Sequence, residues 1–457
     1  MMRILIVGGG PGGYEAALVA AELGADVTVV DRAGLGGACV LWDCVPSKTL
    51  CSTAEVVTWM EAAPALGLAR ARPQIEVDLH RVFERVLWLA TAQSRDVEKK
   101  VEQAGVRVVR AHGRLADAHT VHVADDAGID ERISADAILL ATGSSPRVMA
   151  GAAPDGERIL NGRQVYNLTE VPEHLIVVGS GASGAEFTHA FNRLGAHVTL
   201  ISSRDHVLPA EDTDAAVVLE EVFTRRGVEI VKRARAASAR WDGDGVAVEL
   251  TDGRTLSGSH ALITVGQVPN SDDLGLEAAG VRTSGAAIAI DGVSRTNVPH
   301  IYAAGDVTGS MMLASVAAMQ GRIAMWHALG QAVTPFREDE VAATVFTDPE
   351  IATAGLSEPA ARERGLAIDV FKQPFATNAR AKMVGLEDGF VKLIVGSHTG
   401  TVLGGTIVAP HASDLILPVS VAVHARLPVS QLAQSFSIYP SFGGSIQEAA
   451  RRLMNRR

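Results

Sequence analysis

Two cysteines lie five residues apart in the stretch Cys39-Val-Leu-Trp-Asp-Cys44-Val-Pro-Ser-Lys48. A pair with this spacing at the start of a helix can close into a small, reactive disulfide ring. The positive end of the helix dipole and the Lys48 ammonium favour a thiolate at Cys44. Cys51 is the third cysteine, and so few cysteines suit a reducing compartment, where a close pair is more often catalytic than structural.

An internal repeat predicts the elements that must position this pair. Ile4-Leu-Ile-Val leads into Gly8-x-Gly10-x-x-Gly13, and Leu175-Ile-Val-Val leads into Gly179-x-Gly181-x-x-Gly184, 171 residues later. Each motif stands between a buried strand and an alanine-containing helix, and a second strand follows. The sequence therefore predicts two βαβ units.

The glycines of such motifs have separate tasks. One makes the tight turn, one lets the backbone approach a pyrophosphate, and one lets the helix pack on the strand, so that the phosphates lie at the positive end of the helix dipole. One motif alone is weak evidence, and glycine turns without a ligand are the alternative. Two motifs in register predict two dinucleotide sites.

The residue that ends the second strand of each unit predicts which dinucleotide the unit binds. Asp31 can bind both ribose hydroxyls, as expected for an adenosine without a 2′-phosphate, such as that of FAD, or it is only a surface carboxylate. The equivalent position is Ser202, followed by Ser203 and Arg204. Serine and arginine can bind a 2′-phosphate that a carboxylate would repel. We therefore predict FAD first and a nicotinamide dinucleotide second, with a leaning towards NADPH, unless Arg204 points to solvent.

Smaller signals predict the rest of the fold. The stretches Ala137 to Pro146 and Ala261 to Pro269 resemble each other, and each predicts a strand that re-enters the sheet and turns at glycine and proline. Apolar residues three and four apart predict an amphipathic helix from Val82 to Val101. From about Val341, strands alternate with helices and no dinucleotide motif occurs, which predicts a separate α+β domain.

Composition excludes several classes of protein. The net charge of −11 argues against nucleic acid as a partner, because phosphate binding needs a basic surface. The apolar stretch from Leu415 to Val423 is too short to cross a membrane, and the N-terminus predicts a first strand rather than a signal peptide. We expect a cytoplasmic protein with no membrane insertion and no metal site.

The region around the cysteines resembles the pyridine nucleotide–disulfide oxidoreductases, which include lipoamide dehydrogenase, glutathione reductase and mercuric reductase. Their pattern is G-G-T-C-x-N-x-G-C-x-P-S-K, and this chain has Gly36-Gly37-Ala38-Cys39 and Cys44-Val45-Pro46-Ser47-Lys48. The resemblance spans nearly the whole chain. Tyr302-Ala-Ala-Gly305-Asp306 is similar to the family's second flavin motif, in which the aspartate binds the ribityl chain.

Further matches concern the nicotinamide site and the subunit interface. Glu186 matches the acidic residue that lies at the nicotinamide and pairs with the lysine, and the stretch from Val345 to Gly355 resembles the start of the family's dimerisation domain. The resemblance implies an FAD-containing homodimer, with the nicotinamide against one flavin face and the cysteine pair on the other. We also expect cofactor contacts from the following residues: Gly37, Ala38, Lys48, Thr142, Gly143 and Gly266.

These expectations define a fold class and a division into domains. The class is α/β, with two Rossmann-like dinucleotide-binding domains of the glutathione reductase type and a C-terminal α+β dimerisation domain. The predicted ranges are 1–150 for FAD binding, 151–266 for NAD(P)H binding, 267–335 for the remainder of the FAD-binding or central domain, and 336–457 for dimerisation.

Departures from the family pattern fall on the disulfide half of the chemistry. The family's disulfide reductases end in H-P-x-x-x-E, where a His–Glu pair of one subunit is the acid–base group for the thiols of the other. Here Tyr439 replaces the histidine and Gly444 the glutamate. A tyrosine, which titrates near 10, exchanges protons poorly with a thiol at neutral pH, and loss of such a group costs about 10²–10⁴-fold in rate.

The residues between the cysteines also differ from the family. Leu41 replaces an asparagine and Asp43 a glycine, and a carboxylate beside Cys44 disfavours the thiolate. Trp42 packs locally or shields the disulfide, and we prefer packing. Gln267 replaces the usual arginine of the family's G-R-x-P-N turn. The C-terminal histidines His411 and His424 have no carboxylate partner that can be assigned, and we expect both to be structural.

Three functions remain. The first is transfer of electrons from NADPH or NADH through FAD to a quinone-like or other small-molecule acceptor; the pattern resembles lipoamide-dehydrogenase-like NAD(P)H:quinone reductases of actinobacteria, which also lack the histidine. The second is a disulfide reductase that uses Cys39 and Cys44, with Tyr439 or water as the base. The third is a non-catalytic, FAD-bound partner protein or regulator. The first is the preferred interpretation.

Overall fold

A computed structural model describes residues 1–68 and 75–455. The described chain divides into two compact units: residues 1–49, 83–147 and 266–337 form the first, and residues 50–68, 75–82, 148–265 and 338–455 form the second. No helix within the described ranges is long and apolar enough to cross a membrane. Arg456 and Arg457, which end the predicted dimerisation range, lie outside the described residues.

The first unit contains a five-stranded parallel sheet. Its strands lie in the order Ile301–Ala303, Ala137–Leu140, Arg3–Val7, Asp26–Val30 and Arg107–Val109. Nearly every residue of the central strands is buried, as expected for parallel strands with both faces covered. The strands that precede and follow the first glycine motif are therefore those the sequence predicted.

Two helices pack closely beside this sheet. Pro11–Glu22 contacts Ala314–Ala328, and a Cβ added to Gly321 would lie 2.1 Å from the carbonyl oxygen of Gly12. Only glycine permits this approach. The unit also contains a three-stranded antiparallel sheet of His112–Leu115, Thr120–Ala124 and Asp130–Ser134. Two further pairs of strands are Ser144–Pro146 with Gln267–Pro269 and Thr283–Ser284 with Ala287–Ile288. Its remaining helices are Gly37–Leu41 and the short helix Asp306–Thr308.

Two long helices contribute residues to both units. They are Cys44–Ala62 and Leu79–Gln103. The second confirms the amphipathic helix predicted from Val82 to Val101, since Phe83, Val86 and Ala90 are buried along one face.

The second unit contains another five-stranded parallel sheet. Its order is Glu229–Val231, His197–Ile201, His174–Val178, His260–Ile263 and Ile159–Asn161. The helix Ala182–Arg193 follows the second glycine motif, and Thr213–Arg225 connects the next two strands. An antiparallel sheet of Ala236–Asp242, Gly245–Leu250 and Thr255–Gly258 and the short helices Ala63–Leu66 and Gln164–Asn167 complete this part.

The C-terminal part of the second unit is an antiparallel sheet covered by helices. Its strands lie in the order Ala342–Val345, Glu350–Gly355, Val402–Ala409, Phe390–Gly396 and Ile368–Pro374. Leu393, Ile407 and Ile446 are among the residues of its core. The helices are Glu338–Glu340, Glu358–Glu363, Phe375–Thr377, Ala379–Met383, Ala412–Leu415, Leu417–His424, Val429–Gln434 and Gly444–Met454.

The predicted α/β class with a C-terminal α+β domain is confirmed. Both predicted re-entering strands exist, as Ala137–Leu140 and His260–Ile263, one in each parallel sheet. The structure groups residues 50–68 and 75–82 with the second unit, whereas the sequence placed them in the range 1–150. The four-range functional division stays a prediction.

Candidate functional site

The first glycine loop connects Arg3–Val7 to the helix Pro11–Glu22. A Cβ at Gly8 would lie 2.2 Å from the carbonyl oxygen of Ala141, and a Cβ at Gly13 would lie 1.8 Å from that of Gly8. A Cβ at Gly10 meets no atom within 4 Å. Two of the three glycines are therefore required by the backbone, while Gly10 faces open space at the N-terminus of the helix, where a pyrophosphate can approach.

Asp31 ends the next strand and binds the same loop. One carboxylate oxygen accepts a hydrogen bond of 2.7 Å from the Gly9 N–H, and the other accepts bonds of 2.8 Å from the N–H groups of Ala33 and Gly34. A carboxylate has about four acceptor sites. Asp31 therefore retains capacity for a ribose hydroxyl, which fits an adenosine at this strand end.

The cysteine-bearing helix starts directly beside the glycine loop. Gly37 has φ +56°, and a Cβ there would lie 2.8 Å from the Cα of Gly10. The Gly36 N–H donates a bond of 2.7 Å to the Gly9 carbonyl. The carbonyl of Ala38 accepts bonds from the following backbone turn. These contacts place the start of the helix Gly37–Leu41 next to the expected pyrophosphate position.

The predicted residues Thr142 and Gly143 lie in a second part of the same unit. The Thr142 hydroxyl donates a bond of 2.7 Å to the carbonyl of Asn270, whose side-chain amide donates one of 2.9 Å to the carbonyl of Thr142. The Gly143 carbonyl accepts from the Asn270 N–H, and the Gly266 carbonyl accepts from the Arg147 N–H. The two similar stretches, Ala137 to Pro146 and Ala261 to Pro269, are therefore joined by the pairing of the strands Ser144–Pro146 and Gln267–Pro269.

Asp306 lies at the start of a short helix in the same unit. Its carboxylate accepts a hydrogen bond of 2.6 Å from the Ser144 hydroxyl, and the Gly305 N–H donates one of 2.8 Å to the Gln320 side chain. Burial raises the pKa of Asp306, and the Ser144 bond opposes that shift. The residues that bind Asp306, Gly305 and Thr142 here, which are Ser144, Gln320 and Asn270 respectively, were missed in the sequence. Ser144 and Asn270 adjoin the paired glycine–proline turns, which was their only signal.

The cysteine pair spans two helices. Cys39 belongs to Gly37–Leu41, and Cys44 is the first residue of Cys44–Ala62. The Asp43 carbonyl accepts the first helical bond from the Ser47 N–H, at 2.8 Å, which places Asp43 at the N-cap. Both cysteines are free thiols, and they are close enough to hydrogen-bond to each other. The disulfide expected in the oxidised enzyme stays a prediction.

The surroundings of the pair strongly favour the protonated form of the Cys39 thiol. The hydrogen bond to Cys44 raises the pKa of Cys39 far above its usual value, burial raises it further, and the charges of Cys44 and Asp43 add to the shift. The Lys48 ammonium opposes these effects. Cys39 therefore keeps its proton while Cys44, at the positive end of the helix, is the sulfur better placed to carry charge.

The second glycine loop repeats the geometry of the first. A Cβ at Gly179 would lie 2.5 Å from the carbonyl oxygen of Thr264, and a Cβ at Gly184 would lie 1.9 Å from that of Gly179. A Cβ at Gly181 meets no atom within 4 Å. This unit therefore presents the same open helix N-terminus as the first.

Ser202 is fully buried at the end of the next strand. Its hydroxyl accepts bonds from the Ser180 hydroxyl at 2.8 Å and the Arg204 N–H at 3.2 Å, and donates to the carbonyl of His206 at 3.2 Å. A serine hydroxyl offers one donor and two acceptor sites, so protein groups occupy all of them. Ser203 and Arg204 are exposed. They, rather than Ser202, can reach a bound nucleotide.

Glu186 and Tyr439 occupy opposite environments in the second unit. Glu186 is 3% exposed on Ala182–Arg193, and its carboxylate accepts a bond of 3.0 Å from the Phe346 N–H. Tyr439 is 85% exposed in the segment before Gly444–Met454, beside the exposed Ile438. The pairing of Glu186 with Lys48 that the resemblance implies stays a prediction.

The two C-terminal histidines each have a carboxylate neighbour, which the sequence did not assign. The His411 ring nitrogen lies 3.4 Å from Glu55, and that of His424 lies 2.9 Å from Glu340. Both pairs join residues far apart in sequence. Within residues 1–68 and 75–455, no group of three or more His, Cys, Asp or Glu side chains could hold a metal ion.

Two glycine-rich dinucleotide folds and a cysteine pair beside the first define a class: flavin enzymes that use pyridine nucleotides. A model of the family described as pyridine nucleotide-disulphide oxidoreductase matches residues 2–321, and the model of its dimerisation domain matches residues 341–450. The chain belongs to this family. It is an FAD-dependent oxidoreductase that uses NAD(P)H, and the dimerisation domain supports a homodimer.

Relatives span almost the full chain. It is 51% identical over 462 residues to a Mycobacterium tuberculosis protein named NAD(P)H dehydrogenase (quinone), covering 99% of this chain and 94% of the relative. It is 34% identical to the dihydrolipoyl dehydrogenase of Chlorobaculum tepidum, covering 98% and 96%.

Solved structures show the same fold. LpdA from Mycobacterium tuberculosis, at 51% identity, has a TM-score of 0.95 over 99% of this chain and 100% of that one. The HOCl-induced flavoprotein disulfide reductase RclA from Escherichia coli, at 25% identity, has a TM-score of 0.86 over 98% and 99%.

Proposed function

We propose that this enzyme passes electrons from NADPH or NADH through FAD to a quinone or similar small-molecule acceptor. The observation that carries the proposal is the contrast between the two halves of its chemistry. The groups expected to hold FAD and nucleotide are assembled, whereas the position of the family's catalytic histidine holds Tyr439, an exposed phenol. A relative that is 51% identical is named NAD(P)H dehydrogenase (quinone), and this name supports the same acceptor class.

The residues of the first unit fit a flavin dinucleotide. The open face at Gly10 and the adjacent Gly37 would receive the pyrophosphate, Asp31 the adenosine ribose, and Asp306 with Ser144 the polar chain of the flavin. Bound FAD would supply the two-electron chemistry that connects a nicotinamide to an acceptor. The protein's part is to position the cofactor and to keep Asp306 oriented through the Ser144 hydroxyl.

The residues of the second unit fit a nicotinamide dinucleotide. The open face at Gly181 would receive its pyrophosphate, while Ser203 and Arg204 are the exposed groups at the ribose end. Glu186 is held by the Phe346 N–H, so its carboxylate has a fixed position on the helix that starts at the glycine loop. We propose that Glu186 and Lys48 tune the flavin and position the nicotinamide, as the family resemblance implies.

The cysteine pair is poorly suited to disulfide exchange in this chain. Thiol–disulfide exchange needs a thiolate and a group that returns protons. Cys39 holds its proton strongly and Asp43 adds negative charge at the helix start, while Tyr439 stands where the family's disulfide reductases have their histidine base. Transfer from flavin to a quinone needs none of these groups.

A disulfide reductase is the second candidate. One observation favours it: Cys39 and Cys44 are hydrogen-bonded to each other as free thiols. The names of relatives, dihydrolipoyl dehydrogenases at 34% identity and a flavoprotein disulfide reductase at 25%, also support it.

Steady-state turnover separates the candidates. The purified enzyme is assayed with NADPH and NADH against quinones, dyes, lipoamide and oxidised glutathione. We expect the enzyme to reduce quinones and dyes, and to reduce both disulfides at least about 100-fold more slowly. This factor is the lower end of the range by which the loss of a general base slows a reaction. Efficient reduction of lipoamide would reverse the assignment. A flavin that NADPH does not bleach without oxygen would indicate the non-catalytic partner protein.

The same sites assign a function to each range of the chain. We propose FAD binding by residues 1–150 and 267–335, NAD(P)H binding by 151–266 and dimerisation by 336–457. The motif positions and the family matches at residues 2–321 and 341–450 support this division. We also propose that the enzyme works in the cytoplasm, because three cysteines suit a reducing compartment.

A further inference from the structure

Two arginines lie at the carboxyl ends of neighbouring parallel strands in the second unit. The strands His197–Ile201 and Glu229–Val231 pair in register, with Ile201 opposite Val231. Ligands of open α/β sheets bind outside the carboxyl ends of the strands. Arg204 follows the first strand and Arg233 the second, so both stand at the edge where the nucleotide ribose is expected.

Backbone hydrogen bonds hold the two loops together. The Ser202 N–H donates to the Val231 carbonyl at 2.9 Å, and the Ala234 N–H donates to the Ser202 carbonyl at 2.9 Å. The Arg233 N–H donates to the Arg204 carbonyl at 3.1 Å. Arg233 has φ +53°, in the left-handed region. The two guanidinium groups therefore start from adjacent backbone positions.

The two arginines differ in their partners. Arg233 pairs with Asp205, with 2.5 Å between its Nε and a carboxylate oxygen, and both side chains are more than two-thirds exposed. Arg204 has no carboxylate partner among the described residues. The nearby Lys232 is paired with Glu220 at 2.5 Å. Arg204 and Arg233 can therefore both turn to a ligand, because the exposed ion pair of Arg233 adds little stability.

We propose that Arg204 and Arg233 together bind the 2′-phosphate of NADPH and that Asp205 competes for Arg233. This inference rests on the proposed nucleotide site of the second unit. A phosphate monoester carries a charge of about −1.5 to −2 near pH 7 and can accept two parallel bonds from one guanidinium. It therefore displaces the single carboxylate of Asp205 from Arg233. Asp205 limits the preference for NADPH, because it repels the phosphate and occupies one of its two partners.

The test measures binding of two probes to the FAD-containing enzyme by calorimetry. The first probe, 2′,5′-ADP, carries the 2′-phosphate, and the second, 5′-AMP, does not. Arg233→Ala should weaken 2′,5′-ADP about 10-fold, as expected for one charged hydrogen bond, and leave 5′-AMP within about 2-fold. Arg233→Lys should recover part of the affinity, because lysine keeps the charge without the planar fork. Asp205→Asn should strengthen 2′,5′-ADP several-fold.

A matched control separates a local effect from a change in net charge. Arg240→Ala removes another exposed arginine of the second unit, one that pairs with Glu249 on the antiparallel sheet, and should leave the ratio of the two affinities unchanged. An Arg233→Ala variant that behaves like Arg240→Ala would overturn the inference, as would weaker 2′,5′-ADP binding by Asp205→Asn. A wild-type enzyme that binds neither probe would instead overturn the nucleotide site of the proposed function.

Discussion

The two glycine loops share one backbone geometry and differ in the charge they present. In the first, the Asp31 carboxylate accepts a bond from the Gly9 N–H; in the second, the Ser202 hydroxyl accepts one from the Ser180 hydroxyl. Both bonds join residues 22 apart, at positions related by the repeat. The strand end is therefore tied to the loop in both units. The carboxylate of the first is replaced in the second by the hydroxyl of Ser202, and an exposed arginine, Arg204, follows two residues later.

The two loops share a scaffold and differ in the residues that follow the second strand. The glycines whose Cβ atoms would strike the backbone fix the turn, whereas the open glycines leave space at the helix N-terminus. Under the proposed function, the residues after the second strand would select the dinucleotide. The units also differ in the element that lies beside the open glycine. In the first unit, the helix Gly37–Leu41, which carries Cys39, begins next to Gly10.

The largest effect is expected at the open glycines. Gly10 has φ −67° and Gly181 φ −72°, so valine at either position causes no backbone strain but enters the ligand's space. Gly10→Val should yield folded, colourless protein without FAD, whereas Gly181→Val should stay yellow and resist bleaching by NADPH. Flavin absorbance and circular dichroism measure both outcomes. A Gly10→Val variant with full FAD content would refute the assignment of the first unit.

A second change restores the missing acid–base pair. The double variant Tyr439→His, Gly444→Glu should raise lipoamide or glutathione turnover by up to about 10²–10⁴-fold, with a far smaller change in quinone turnover. Gly444 has room for a side chain, since the nearest atom to an added Cβ is the Ser437 hydroxyl at 3.8 Å. Tyr439→Phe is the control and should not raise disulfide turnover. Equal turnover in the double variant and the control would exclude a missing base as the cause.

Reversal of the charge at the second strand end should change the nucleotide preference. Arg204→Glu adds a ribose acceptor and repels a 2′-phosphate, so the ratio of kcat/KM for NADPH to that for NADH should fall about 10- to 100-fold. The wild-type enzyme should use NADPH at least as well as NADH. Steady-state kinetics with both nucleotides measure the ratio. If the ratio does not change, Arg204 points to solvent and does not belong to the site.

A smaller effect is expected at the N-cap of the helix Cys44–Ala62. Asp43 contributes to the raised pKa of Cys39, so Asp43→Asn should lower that pKa and increase the thiolate fraction several-fold at any pH below it, while asparagine keeps the N-cap. The pH dependence of thiol alkylation in reduced enzyme measures this shift. Glu55→Gln, about 18 Å further along the same helix at 1.5 Å per residue, is the control. Identical alkylation profiles for the two variants would remove Asp43 from this role.

Short-range patterns predicted most of the fold, and long-range contacts account for what they missed. The glycine turns and buried strands depend on residues close in sequence, and they lie where the patterns placed them. The burial of Ser202 and the position of Arg233 depend on pairing between strands 30 residues apart, and the bond from Ser144 to Asp306 joins residues separated by 162 positions. The carboxylate partners of His411 and His424 were missed for the same reason.

The cysteine variants test the central claim most directly. Cys39→Ser and Cys44→Ser are each assayed for quinone and lipoamide turnover with saturating NADPH, after equal FAD content has been confirmed. If electrons leave from the flavin, both variants should reduce quinones within about 2-fold of the wild-type rate, because no thiolate takes part in that step. Loss of quinone turnover in either variant, at full FAD content, would contradict the account and place the Cys39–Cys44 pair on the path of the electrons.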